Sequence, residues 1–235
     1  MIYVTSDLHG YPMKKFVAFL QESGFTEDDF LFVLGDVIDR GKHGVELLQW
    51  MTQQPNVQLI LGNHEWFLLG CSFLFDEVND ENLDMLTSEK LKLLNNWKRN
   101  GADVTISGFR KLMQKDPALV EGILDYIQDA PLYETVELNG RKYVLVHAGL
   151  GNFDPAKPLE DYDLMDLLWS RPSLDTQYYE DATVIFGHTP TLYYGEEFKD
   201  RAIKKDSWIC IDTGVSFGRN PMLLRLDDMK EFYTS

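Results

Sequence analysis

Four of the five histidines in this 235-residue chain stand in equivalent places: His9, His64, His147 and His188 each lie at or just past the end of a short apolar run. Asp7, Asp36 and Asn63 occupy the same kind of position. Packing alone does not require a polar side chain at every strand end, and a lone histidine is more often a surface or core residue than a ligand. Only His43 fits that plainer description. Imidazole, carboxylate and amide oxygen without thiolate suit Mn, Fe, Zn or Co better than Ca or Mg. Two divalent ions about 3.5–4 Å apart repel each other, so an anionic ligand must lie between them. Asp36 is the natural bridge. Asp7 and His9, two apart on a tight turn, complete one site with it; Asn63, His147 and His188 complete the other. We expect two divalent ions, Mn2+ foremost, with Fe, Zn, Co or Ni as substitutes. A water shared by two such ions releases a proton near neutral pH and becomes a nucleophile for phosphorus.

Phosphate hydrolysis needs two more parts. Arg40, four residues after Asp36, carries a guanidinium that can grip phosphate oxygens in bidentate fashion. His64 directly follows Asn63, so it sits beside the metals without having to be a ligand. With Asp39 as its orienting carboxylate it is a general acid for the leaving oxygen. The plainer alternatives are a surface ion pair for Arg40 and a helix N-cap for Asp39. Glu65 reads as a first-turn helix acid rather than a catalytic one.

These residues need a scaffold that gathers them. The apolar runs Ile2–Thr5, Phe30–Leu34, Val57–Leu61, Tyr143–Val146, Thr183–Phe186 and Trp208–Ile211 read as buried strands. Apolar residues at helical spacing over 12–23 and 43–52 separate the first three. The steps from Asp7 to Asp36 and from Asp36 to Asn63 are 29 and 27 residues, the rhythm of βαβ units. Ligands in such sheets gather at the carboxyl ends of the strands. Residues 66–131 break the rhythm and read as a helical insertion, a cap beside the active edge. Within it, Ser88 is the expected cap of one helix ending near Gly101, and Asp116-Pro117 opens another. No linker is visible, so 1–235 reads as a single domain.

A net charge of −16 argues against a partner bound through broad phosphate-backbone contacts, such as bulk nucleic acid. Cys71 and Cys210 form no metal-ribbon spacing and read as two buried thiols of a reducing compartment. No signal peptide is expected, since Met1 runs straight into Ile2-Tyr3-Val4, and the apolar runs fall far short of a membrane span. The expectation is a cytoplasmic protein; the sequence says nothing of its oligomeric state.

The chemistry-bearing residues fall in recognisable words. Asp7-Leu8-His9-Gly10, Gly35-Asp36-Val37-Ile38-Asp39-Arg40-Gly41, Gly62-Asn63-His64-Glu65, His147-Ala148-Gly149-Leu150 and Gly187-His188-Thr189 resemble the motifs of the phosphoprotein phosphatase family, a branch of the calcineurin-like metallophosphoesterases. Trp97-Lys98-Arg99-Asn100-Gly101-Ala102, Leu167-Leu168-Trp169-Ser170-Arg171-Pro172 and Ile211-Asp212-Thr213-Gly214 are similar to secondary motifs of its small bacterial serine/threonine phosphatases. The resemblance implies an α/β (α+β) fold, a central β-sandwich flanked by helices, rather than the plain three-layer sheet that periodicity suggests. It supports the metal assignments and implies that Arg171 is a second phosphate-binding arginine. It gives Asp212 no ligand role, and a supporting contact or a turn is the reading for that residue. Ser6 replaces a common glycine before Asp7, and Ala102 replaces a repeated glycine that would shape the cap.

The function expected is hydrolysis of phosphate monoesters, phosphoserine or phosphothreonine in proteins. The alternative is symmetrical hydrolysis of dinucleoside polyphosphates such as diadenosine tetraphosphate, with Trp169, Tyr193 and Tyr194 as candidates for stacking on a base. A third reading is a silent metal-binding interaction module, which would be expected to lack His64, Asp39 or an arginine; all are present.

Overall fold

The structure is a computed structural model, and it describes residues 1–75 and 87–234. Two five-stranded sheets form its centre. The first has the order β10-β9-β1-β2-β3 and the second β4-β5-β6-β8-β7. The strands are β1 (Ile2–Thr5), β2 (Phe30–Leu34), β3 (Val57–Ile60), β4 (Tyr133–Leu138), β5 (Arg141–Val146), β6 (Ala182–Phe186), β7 (Ile203–Lys204), β8 (Trp208–Cys210), β9 (Met222–Arg225) and β10 (Lys230–Tyr233). β1, β2 and β3 run parallel, as do β5, β6 and β8, so each trio delivers its carboxyl ends to one edge.

Alternation along each strand explains why the sheets stack. In β1 and β2, Val4, Phe32 and Leu34 face the second sheet, and Tyr3, Leu31 and Val33 face away from it. In β5 and β6, Leu145 and Ile185 meet them from the other side, whereas Val144, Val146, Val184 and Phe186 face outward. Successive strand residues point to opposite faces, so a run that is apolar at every position must be covered on both. Each such side chain removed from water stabilises the fold by about 1.5–3 kcal/mol. The three-layer sheet suggested by periodicity is therefore replaced by four layers, because a doubly buried strand has the same pattern in either architecture.

The helices α1 (Met13–Glu22), α2 (Gly44–Met51), α3 (Asn63–Gly70), α4 (Ser88–Arg99), α5 (Asp103–Met113) and α6 (Pro117–Gln128) form the outer layer on the first sheet. The short helix α7 (Leu164–Leu168) packs Leu167 into the outer cluster of the second and Leu168 into the cluster of the first. Thr87, not Ser88, caps α4: its hydroxyl accepts from the Lys90 N–H. Asp116 caps α6 as expected, accepting from the Leu119 N–H, with Pro117 in the first turn. Residues 76–86 of the expected insertion lie outside the described residues. Trp97, Phe109, Val120 and Ile123 of the insertion share one core cluster with Phe16 and Leu47. Cys71 and Cys210 are buried and free. Among the described residues, no helix is long and apolar enough to cross a membrane.

Candidate metal centre

The carboxyl ends of the parallel strands open into tight loops, and the site is made from those loops. Among the described residues, ten non-glycine positions have positive φ, and six of them are Asp7, His9, Asp36, Asp39, Arg40 and His188. Such backbone costs about 1–3 kcal/mol at each residue and persists only where its surroundings enforce it. Here they do. The N–H groups of Asp7 and His9 donate to the carbonyls of Gly35 and Asp36, which locks the first two loops together. Glu65, in the first turn of α3, accepts from the N–H groups of Asp36 at 2.7 Å, Val37 at 2.8 Å and Ile38 at 3.3 Å. The sequence reading of Glu65 as a simple first-turn acid misses this: its fully buried carboxylate is the clamp of the Asp36 loop. Two glycines allow the close approach. A Cβ on Gly62 would collide with the Asp36 loop, and one on Gly187 would collide with Asp7 Oδ2 and Ser6 Oγ.

The geometry brings the expected ligands together around Asp36. Its Oδ2 faces His9 Nε2 and His64 Nε2, each at 3.7 Å. Its Oδ1 faces His147 Nε2 at 3.5 Å. His147 Nε2 also lies 2.9 Å from Asn63 Oδ1 and 3.2 Å from His188 Nδ1. His9 Nδ1 and His147 Nδ1 donate to the carbonyls of Ile38 and Leu34, so both rings turn an unprotonated Nε2 inward. Two groups of three are close enough to hold an ion: His9, Asp36 and His64, and Asp36, His147 and His188. Asp7 stands one step aside, its Oδ2 accepting the His188 N–H at 2.9 Å.

Acceptors that outnumber the donors around them favour a cation; the N–H among them is the backbone N–H of His64, which donates to Asp36 Oδ1 at 3.0 Å. His147 Nε2, Asn63 Oδ1 and Asp36 Oδ1 crowd one space, and among the described residues the buried Nε2 of His188 has no partner. The electrostatics agree. Burial, then the charges of Asp212 and Asp36, push Asp7 well above the usual carboxylate range. Burial and the Asp36 charge likewise push Asp212 and Glu65 up to about 7. Burial also opposes ionisation of Asp36, but in acid, where His147, His64 and His9 carry protons, their charges hold its carboxyl below its ordinary value. Burial pushes His9 down to about 3 and lowers His147 and His188. These three rings are therefore neutral, the form that ligates a metal. His64 is the exception. Burial lowers it too, but the Asp36 charge and the hydrogen bond to Asp39 outweigh that and raise it.

Asp39 is not a helix cap. Its carboxylate is fully buried and accepts from His64 Nδ1 at 2.5 Å, Trp97 Nε1 at 2.6 Å and Thr105 Oγ1 at 2.5 Å. Arg40 and Arg171 are exposed and line a cleft of about 400 Å³ over the site, together with His9, Asp36, Asn63, His64 and His188. Arg40 is tied to the insertion through its N–H, which donates to Gly101 O, and Arg171 donates to Thr189 Oγ1 at 3.1 Å. Asp212, read as a supporting contact or a turn residue, lines the cleft, and its Oδ1 accepts the Gly214 N–H. The signal was present: Asp212 ends the run Trp208–Ile211 just as the other candidates end theirs. Of the aromatic candidates, Trp169 and Tyr193 line the cleft and Tyr194 packs beside Trp208. Phe217, not singled out in the sequence, lines it next to Tyr193, with ring centroids 5.6 Å apart.

The sequence profile of the calcineurin-like phosphoesterase family matches residues 1–217. The chain is 27% identical over 215 residues to serine/threonine-protein phosphatase 2 of Salmonella typhimurium, covering 91% of this chain and 87% of that one. It is 32% identical over 152 residues to the symmetrical bis(5'-nucleosyl)-tetraphosphatase of Chromobacterium violaceum, covering 63% of this chain and 43% of the relative. The match thus spans less than half the length of that tetraphosphatase. A crystal structure provisionally assigned as a diadenosine tetraphosphatase superposes with a TM-score of 0.66 at 17% identity, over 99% of this chain and 92% of that one; this likeness bears on the fold.

Proposed function

The chain belongs to the calcineurin-like phosphoesterase family, and on that premise we propose that it is a two-metal phosphomonoesterase acting on phosphoserine and phosphothreonine in proteins. The observation that carries the two-metal reading is the division of Asp36: one carboxylate oxygen faces His9 and the other faces His147. A bridging ligand needs that arrangement. Asp7 and His9 would complete one site with Asp36, and Asn63, His147 and His188 would complete the other, with Mn2+ as the expected metal. When bound, the ions supply Lewis acidity, which acidifies water and draws charge from the phosphoryl oxygens.

The protein's own groups do the rest. Arg40 and Arg171, both exposed in the cleft, neutralise and orient the phosphate. His64 donates a proton from Nε2 to the leaving oxygen, while Asp39 holds Nδ1 protonated and fixes the ring. The contrast among the histidines supports this division of labour. His64 alone is raised, by the Asp36 charge and its bond to Asp39, whereas burial lowers His9, His147 and His188.

Similarity along 91% of the chain to a serine/threonine-protein phosphatase supports the protein substrate. The second reading, symmetrical cleavage of dinucleoside polyphosphates, draws on Tyr193 and Phe217, exposed at 60% and 52% on the cleft wall, where a base can stack. A side-by-side assay with added manganese separates them. It compares a phosphoserine peptide, diadenosine tetraphosphate and an aryl phosphate. We expect the highest kcat/KM on the peptide; a preference of about 100-fold or more for the tetraphosphate replaces the first reading with the second.

A further inference from the structure

We propose that Trp97 and Thr105, from two successive helices of the insertion, are positioning residues for the acid pair His64–Asp39. This rests on the general-acid reading of His64 above. Asp39 has a left-handed backbone, with φ of 68°, and a side chain with no exposure to water. Nothing in its own loop holds that carboxylate. The donors come from elsewhere. Trp97 Nε1, in α4, donates to the same Oδ2 that accepts the hydrogen bond from His64 Nδ1. Thr105 Oγ1, in α5, donates to Oδ1 and accepts the Asp39 backbone N–H at 3.0 Å, closing a ring around the residue.

The arrangement has a definite physical effect. A buried carboxylate with a single partner can swing and can draw the proton away from that partner. One that also accepts from an indole N–H and a hydroxyl is fixed in orientation, and its excess charge is shared among three donors. His64 is then held with Nδ1 protonated and Nε2 aimed into the cleft, 3.7 Å from Asp36 Oδ2. The connection between the same two helices also holds the neighbouring residue, since Arg40 N donates to Gly101 O and Arg40 Nε to Asn100 O. The insertion therefore fastens the chemical step, a role separate from the shaping of substrate access expected of a cap.

The experiment uses Trp97→Phe, which keeps an aromatic ring and loses the donor, and Thr105→Val, which keeps the shape and loses the hydroxyl. Each is made alone and in the His64→Asn background. Manganese content and kcat are measured on phosphate esters of falling leaving-group ability, from nitrophenyl to phenyl to alkyl. Each single variant should retain full metal and lose about 10-fold in kcat on the alkyl ester, with about 3-fold or less on the nitrophenyl ester. In the His64→Asn background neither change should cost anything further. Equal losses along the series, or undiminished losses on top of His64→Asn, overturn the positioning role. If His64→Asn itself loses activity evenly along the series, the general-acid reading fails first and this inference fails with it. Thr105→Val decides the matter should Trp97→Phe not fold.

Discussion

His147, at the end of a strand in the second sheet, reaches across to place its Nε2 3.5 Å from Asp36 Oδ1, at the end of a strand in the first. The centre is thus assembled between sheets rather than within one. Asp36 is the residue that both halves share, and the first prediction concerns it. Asp36→Asn should drop manganese below one ion per chain and abolish turnover, as read by elemental analysis and a phosphatase assay. Two bound ions with full activity would remove the bridge.

His64→Asn should keep both ions and slow hydrolysis of a poor leaving group by about 10²–10⁴-fold. With nitrophenyl phosphate the loss should be smaller, because a good leaving group departs without a proton. His43→Asn serves as the control. His43 is half-buried and, among the described residues, its side chain pairs only with Glu46 at 2.8 Å, so its replacement should leave both rate and metal content unchanged.

Arg171→Ala should lower kcat/KM by about 10²-fold while leaving metal content intact, because it removes a charged grip on phosphate and no metal ligand. Arg171→Lys should recover part of the loss. Loss of metal in either variant would assign Arg171 to the scaffold.

Glu65→Gln should destabilise the protein by about 2–4 kcal/mol, since an amide presents donors to a set of backbone donors. The measurement is the denaturant midpoint, and an unchanged midpoint would contradict the clamp inferred from three N–H contacts.

The pH dependence of the metal-free chain follows from Asp212, whose carboxyl is raised from 3.8 to about 7 by burial and then by the Asp36 charge. A raised carboxyl keeps its proton in the folded state where the unfolded chain has released it, so its contribution is present at low pH and is lost as pH rises towards 7. The lowered histidines work in the opposite direction, so the wild type alone does not isolate the effect. Comparison with Asp212→Asn does. With chelator present, the variant should melt above the wild type, by a margin that widens from pH 5 to pH 8. The reverse order at pH 8 would show that Asp212 is not the strained group.

Much of the site was legible because its residues share a local signature: a run of Val, Ile, Leu or Phe followed by a polar residue. Periodicity alone did not distinguish a sandwich from a single sheet, since both bury the strand on two faces. Strand β4 escaped notice because Tyr133–Leu138 intersperses Glu134 and Glu137 among its apolar residues, as suits a strand at a sheet edge. Helix α5 escaped because Asp103–Met113 carries Val, Thr, Ser and Gly, weak helix formers, and begins without a side-chain cap. The partners of Asp39 were out of reach for another reason. Trp97 and Thr105 lie 58 and 66 positions along the chain, and no local pattern marks an indole or a hydroxyl that will find a carboxylate at that distance.

The position of β1 has a consequence for how the molecule is made. This strand leads directly into Asp7 and His9, and it lies between β2 and β9. Thr5 donates to the carbonyl of Met222, 217 positions away, and Leu226 N–H donates to Ile2 O. During synthesis the earliest strand therefore waits with one side open until residues 222–226 leave the ribosome. Closure over such a separation is slow, so β1 keeps one edge unpaired until β9 is made, and the loop that carries Asp7 and His9 has its strand held on both sides only then.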